Sequence, residues 1–156
     1  KRIFGKGNYN VFGGKIEEGE TIITGAQREG QEEANISLEN LEKVGEILFQ
    51  FPTDEQDHLV HILKTNRFSG VPRESDEMTT RWFDTSSLPY DQMWADDSYW
   101  LPLLLKGKTF RGHFIFNEAF GVARYELREL PQSQLCQDPE CKSWLDELGK
   151  KGVKLR

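Results

Sequence analysis

Cysteine is scarce in this chain: Cys136 and Cys141 are the only two among 156 residues. A zinc site asks for four ligands with closer pairing, and no His stands near these two in sequence. They are therefore read as free thiols of a reducing, cytosolic compartment. Long apolar runs are missing as well. The stretch 101–105 is far below membrane-span length, and no signal-peptide pattern stands at Lys1. Positive charge is in deficit, with 20 Lys and Arg against 26 Asp and Glu and a net charge of −6. That balance argues against a broadly basic nucleic-acid surface, and it means that a phosphorylated substrate needs cations to offset repulsion. Internal repeats and low-complexity linkers are absent too.

What remains is a soluble globular composition, 37% apolar and 29% charged, of a length that suits one core. Gly5, Gly7, Gly13 and Gly14 make the first stretch loop-like, with a short strand expected at 9–12. The pattern predicts a helix over 21–34, with Ile23, Ala26 and Gly30 on one face and Asn35 ending it in the left-handed conformation. Strands are expected at 44–51 and 59–68, joined as a hairpin through Pro52 to Asp57, and a short one at 81–83. Asp96, Asp97 and Ser98 should cap a helix through Leu105 that Gly107 stops. Two more strands follow at 109–116 and 123–130. Asp138 and Pro139 should open a last short helix holding Trp144, Leu145 and Leu148, with Gly149 after it. His58 and His61 alternate with apolar residues, are expected to face outward, and receive no role. The division is an α/β domain over 1–130 and a tail over 131–156, whose helix either docks or floats.

The densest chemistry lies in residues 14–36, G-K-I-E-E-G-E-T-I-I-T-G-A-Q-R-E-G-Q-E-E-A-N-I. Glu29, Glu32 and Glu33 fall at i, i+3 and i+4, so one helix face carries three carboxylates that repel unless cations neutralise them. Mg²⁺, a hard ion that prefers oxygen, fits, and Mn²⁺ is a second choice. A charge run alone reads better as a solvated face. The framework of Gly14, Glu20 and Arg28 reverses that preference, because with it the segment resembles the signature box of the Nudix hydrolases. These enzymes cleave nucleoside diphosphates linked to another group.

The resemblance implies an α/β/α sandwich with a mixed β-sheet. It makes Glu33, Glu29 and Arg28 catalytic. It makes Glu29, Glu32, Glu33, the Gly13 carbonyl and Glu77 the metal ligands, with Arg28 orienting Glu20. It also implies an apolar strand pair ahead of Lys1, so the chain reads as N-terminally shortened. Two positions depart from the box. Asn35 stands where Gly is usual, a mild change. Gly30 replaces a large aliphatic residue, which weakens the helix by about 1 kcal/mol and removes a core side chain worth about 2–5 kcal/mol unless a large neighbour fills the gap.

Beyond the box, residues 10–15, 43–51, 74–78 and 93–105 resemble the animal branch of the family that acts on oxidised purine nucleoside triphosphates. The segment Met93-Trp94-Ala95-Asp96-Asp97-Ser98-Tyr99-Trp100 is the most specific part. A purine needs a flat apolar slot with polar groups at its edge. Trp94 suits stacking, Phe12, Phe49 and Met78 suit the walls, and Asn10 offers both donor and acceptor. Gly13, Gly14 and Lys15 suit the phosphates. Asp96 and Asp97, if both face the base, should have one pKa raised, so that one donates and the other accepts. Read alone, the two Asp are ordinary N-caps and Trp94 and the Phe residues are core.

The implied activity is Mg²⁺-dependent hydrolysis of 8-oxo-dGTP and 2-hydroxy-dATP to monophosphate and pyrophosphate, which cleanses the nucleotide pool and protects DNA. The implied protein is a monomer without direct nucleic-acid binding or membrane attachment. Its expected compartment is the cytoplasm, with the mitochondrial matrix and nucleus as further ones. The alternatives are a Nudix pyrophosphohydrolase of another modified nucleotide, or a catalytically weak or inactive nucleotide-binding variant.

Overall fold

The structure is a computed structural model and describes residues 7–75 and 78–156. Among these, the helices are α1 (Ile22–Ala34), α2 (Asp97–Leu105) and α3 (Lys142–Lys150). The strands are β1 (Ile36–Glu39), β2 (Glu42–Gln50), β3 (His58–Lys64), β4 (Arg67–Gly70), β5 (Phe110–Phe116) and β6 (Val122–Glu129). They belong to two compact units, Lys1–Lys43 with Leu63–Trp94 and Val44–Ile62 with Ala95–Arg156.

In the first unit α1 is fixed at both ends. The Thr24 N–H donates to the Thr21 hydroxyl at 3.1 Å, and the Thr21 N–H donates to Thr24 Oγ1 at 2.8 Å. Two of the helix's orphan donors are thereby satisfied. Asn35 ends the helix at φ 57°, its N–H reaching the Gln31 and Gly30 carbonyls. The chain turns straight into β1, a strand the sequence pattern did not signal, which pairs antiparallel with β4 from Ile36↔Gly70 to Glu39↔Arg67. The single strand expected over 59–68 is two strands. Thr65 breaks it, because its hydroxyl accepts from the Arg67 N–H at 2.9 Å and donates to the Arg67 carbonyl at 3.1 Å, closing a local turn. The strands expected at 9–12 and 81–83 do not form. Tyr9 packs edge-on against Phe83 with ring centroids 4.6 Å apart, and Arg81 donates to the Tyr9 hydroxyl at 2.9 Å. Side-chain contacts hold these segments where a backbone ladder was expected.

The gap at Gly30 is filled. A Cβ there would stand 2.8 Å from Leu38 Cδ1, so β1 lays a leucine where the helix lacks its own side chain. The cavity penalty weighed for Gly30 does not arise at this contact.

The second unit carries a sheet of order β3-β2-β5-β6. β2 and β5 run parallel, with Phe49 beside Phe114, and β5 and β6 run antiparallel, with Phe114 beside Tyr125, so the sheet is mixed. Side chains alternate across it. One face presents Phe114 and Tyr125, stacked with centroids 5.6 Å apart, and α2 lays Tyr99 on both. Trp100 of the same helix meets Phe110 at 6.0 Å. Gly45 is required here, since a Cβ would stand 2.6 Å from the Phe110 ring.

The opposite face presents Leu48, and the tail covers it. Leu48, Cys136, Cys141, Trp144 and Leu148 form one buried cluster, flanked by Leu59, Leu145 and Val153. Burying Trp144 and Leu148 contributes about 2–3 kcal/mol each. Within this unit the layers are therefore helix, sheet, helix. The last helix starts at Lys142 rather than at Asp138 and Pro139, because Cys141 sits at φ 46° and breaks the run before it. Gly149 lies inside α3 rather than after it. At the end of the chain Arg156 donates to the Asp54 and Phe51 carbonyls at 3.0 Å and pairs with Asp57 at 3.3 Å. No helix among the described residues is long and apolar enough to cross a membrane.

Candidate active site

On α1, Arg28 gathers the acidic residues. Its Nε donates to Glu20 Oε1 at 2.8 Å and its Nη2 to Glu20 Oε2 at 3.1 Å, a two-point fork. Nη1 reaches Glu29 Oε1 at 2.9 Å and Glu32 Oε2 at 3.0 Å, and Nη2 also reaches the Lys15 carbonyl at 2.9 Å. The planar guanidinium suits this use better than a Lys ammonium, since its donors point in fixed directions. Three carboxylates share one cation, which leaves the helix face negative. Glu20 is held below the ordinary carboxylate value, first by Arg28 and next by the Glu17 N–H, and Arg28 is pushed up by Glu20 and Glu29.

Glu33 is buried and accepts from the Gly13 N–H at 3.0 Å. Gly14 lies against Glu29 so closely that a Cβ would stand 1.7 Å from Glu29 Oε1. A larger residue would push the Glu29 carboxylate out of this position. A face with Glu29, Glu32 and Glu33 in adjacent turns, all hard oxygen donors, matches what a divalent cation requires. Glu29 and Glu32 lie within reach of one Arg28 nitrogen, and Glu33 is turned to the Gly13 backbone. Glu77 falls outside the described residues.

The other sequence candidates divide between the units. In the first, Asn10 is exposed, its Oδ1 accepting from the Val11 N–H at 2.9 Å. Phe12 is exposed, Trp94 is half-buried, and Lys15 meets Arg28 through its carbonyl. Met78 is half-buried, its carbonyl accepting from the Ser75 N–H at 2.9 Å. In the second, Phe49 is half-buried among Phe51, Phe114 and Phe116, at centroid distances of 5.9 to 6.3 Å.

Asp96 and Asp97 are both buried. Asp96 occupies the N-cap position of α2 but makes no side-chain cap. Its Oδ2 instead accepts from the Trp100 indole N–H at 2.9 Å. Burial raises its pKa, and the Trp100 bond opposes that rise. The expected capping role is therefore absent at Asp96, and the upward shift has desolvation, not repulsion from Asp97, as its leading cause. Trp100 as the Asp96 partner went unread, although the i, i+4 spacing was a usable signal. The Lys15 carbonyl as a fifth contact of Arg28 carried no sequence signal, since any residue supplies a carbonyl.

An α/β fold with a capped helix whose glutamates converge on one arginine defines a class of metal-assisted phosphate hydrolases. Residues 1–104 match the NUDIX domain, and the chain belongs to the Nudix hydrolase family, whose members generally use divalent metal ions. It is 47% identical over 130 residues to the oxidized purine nucleoside triphosphate hydrolase of Mus musculus, covering 83% of each chain. It is 43% identical over 130 residues to the protein of the same name from Danio rerio, again covering 83% of each. A solved structure of a MutT protein from Bacillus halodurans superposes with a TM-score of 0.72 at 24% identity, covering 78% of this chain and 83% of that one, which supports the fold.

Proposed function

We propose that this chain hydrolyses oxidised purine (deoxy)nucleoside triphosphates, adding water across the phosphate chain to release a monophosphate and pyrophosphate. The observation that carries the reading is the α1 face, where Arg28 and the Gly14 cradle hold Glu29 and Glu32 beside the Gly13-bound Glu33. Similarity to relatives named for that substrate class supports it. Glu29, Glu32 and Glu33 would hold the divalent ion, for which Mg²⁺ is the proposed identity, with Mn²⁺ as a substitute. When bound, the ion polarises the phosphoryl oxygen and lowers the pKa of a water. Arg28 keeps Glu20 and the ligand carboxylates in place, and Glu33 is the carboxylate assigned to take the proton of the attacking water. Lys15 and the glycines at 13 and 14 are assigned to the phosphates.

Base recognition is assigned to Asn10, Phe12, Phe49, Met78, Trp94, Asp96 and Asp97. The upward shift at buried Asp96 favours a neutral carboxyl that can donate to a purine edge. Asp96→Asn should then alter the preference between 8-oxo-dGTP and 2-hydroxy-dATP, and equal losses on both would remove that role. The same reading makes the protein a monomer of the cytoplasm, mitochondrial matrix and nucleus, in contact with nucleotides rather than nucleic acid or membrane. Residues 1–130 are assigned to the catalytic domain and 131–156 to its tail.

A nucleotide panel with Mg²⁺ and pyrophosphate detection tests the reading. Turnover of 8-oxo-dGTP well above dGTP is the expected result, and turnover confined to other nucleotides would refute it. The catalytically weak alternative loses its main support at Gly30, since Leu38 occupies the space that residue leaves.

A further inference from the structure

The second unit buries a polar cluster far in sequence from the glutamate helix. Glu46 of β2 is fully buried. Its Oε1 accepts from Arg111 Nε at 2.6 Å and lies 3.3 Å from Cys136 Sγ. Its Oε2 accepts from the Cys136 N–H at 3.0 Å and lies 3.5 Å from Cys141 Sγ. Neither cysteine forms a disulfide, and both are buried. His61 of β3 joins them: one donor atom each from Glu46, His61 and Cys141 lie within 4.8 Å of one another. The His61 Nε2 sits 2.8 Å from the Pro139 carbonyl. A carbonyl only accepts, so in the neutral ring the proton is on Nε2 and Nδ1 is the lone-pair nitrogen.

We propose that Glu46, His61, Cys136 and Cys141 form a structural zinc site that fastens the tail to β2 and β3. Each feature suits that ion. Two sulfurs, one imidazole and one carboxylate are a donor set for tetrahedral zinc, whereas a hard ion such as Mg²⁺ disfavours thiolates. The bond from His61 to the Pro139 carbonyl is the kind of outer contact that fixes the tautomer of a ligating imidazole. Charge also balances. Two thiolates and the Glu46 carboxylate carry three negative charges, and Zn²⁺ with the Arg111 guanidinium cancels them. Donor atoms of Glu46, His61 and Cys141 already lie within 4.8 Å of one another, and Cys136 Sγ stands 3.3 Å from the same Glu46 carboxylate. Cys141 holds φ 46°, a conformation unusual for a residue other than glycine, with its sulfur over Glu46. No His lies near the cysteines in sequence, and β3 brings His61 from 80 positions before Cys141.

The test is titration of the full chain, reduced and stripped with chelator, with Co²⁺ alone and then Zn²⁺. Expected are a thiolate-to-cobalt charge-transfer band that saturates at one sulfur-bound ion per chain, and its loss when zinc displaces cobalt. Cys141→Ser and Cys136→Ser should each weaken Zn²⁺ binding by at least about 100-fold. Glu33→Gln, on the α1 face, should leave it unchanged. His61→Asn, at a half-buried position, is the second probe in case a cysteine variant unfolds. Weakened binding by His61→Asn with a native circular dichroism spectrum supports the site. A cobalt spectrum without the sulfur band overturns the proposal. So does unchanged affinity in a folded Cys136→Ser/Cys141→Ser variant.

Discussion

Two arginines in this molecule hold glutamates, and they do so to opposite ends. Arg28 meets Glu20, Glu29 and Glu32 at a surface where its own side chain is 22% exposed and that of Glu32 is 58% exposed. Arg111 meets one carboxylate, Glu46, whose side chain is wholly buried. The first group keeps a permanent surplus of negative charge, which water tolerates and a hard cation relieves. The second is neutral as it stands and gains negative charge only if the adjoining thiols lose protons. Exposure permits imbalance and burial forbids it, because an unpaired charge in the interior costs several kcal/mol. The surplus is what a hard cation would relieve at the proposed site of phosphate chemistry, and the balance is what a buried joint requires.

The largest effect should come from removing one member of the surplus. Glu33→Gln keeps an oxygen for the Gly13 N–H while deleting the charge. The expected outcome is a loss of about 10²–10⁴ in kcat for pyrophosphate release, with thermal stability nearly unchanged. A matching loss of stability would mean that Glu33 holds the loop rather than serving the reaction.

The buried pair should respond in stability instead. Arg111→Met leaves Glu46 uncompensated and should cost about 3–5 kcal/mol in urea denaturation. It also removes the guanidinium that lies 4.9 Å from the Trp144 ring. Adding Glu46→Leu should restore most of the loss, since an apolar pair of similar volume is often neutral there. If the double variant stays as unstable as the single, the damage lies in the Trp144 contact and not in the stranded charge.

Gly30 and Leu38 provide a third comparison, between a side chain on the helix and one on the strand. Gly30→Leu places a Cβ 2.8 Å from Leu38 Cδ1, and the crowding should cost about 1–3 kcal/mol. Leu38→Ala leaves a gap on its own. Combined, the two changes should offset each other, which a double-mutant cycle measures. Additive losses would show that the two residues do not share the space.

Much of the site was legible because its chemistry is local. Three glutamates and an arginine within six positions of one helix announce a face, and periodicity alone puts them there. The Asn35 stop was readable for the same reason, whereas Thr21, expected inside the helix, is its N-cap. What stayed hidden was long-range. His61 beside Cys141 and the tail over Leu48 are joined only by folding, and no spacing rule reaches across 80 residues, while Leu38 over Gly30 depends on the turn at Asn35 that lays β1 back on the helix. The break at Thr65 depends on a hydroxyl that competes with the strand ladder, which a run of apolar residues on either side conceals. The expected strands at 9–12 and 81–83 do not form, and Tyr9 and Phe83 meet edge-on instead.

The smallest effect separates the two kinds of buried carboxylate. Glu46 is paired with an arginine, whereas Asp96 accepts from the Trp100 indole N–H and has a raised pKa with burial as the leading cause. As pH climbs past the ordinary Asp value of 3.8, the unfolded chain gives up its proton while native Asp96 retains one. The native state then binds more protons, so this group's stabilisation is complete in acid and is lost as pH rises through the raised native value. Asp96→Asn keeps an oxygen for Trp100 and cannot ionise. Its melting temperature relative to the parent chain should therefore rise between acid and neutral pH, then level off. A difference that is flat across this range would mean that Asp96 reaches solvent in the native state and ionises at its ordinary value.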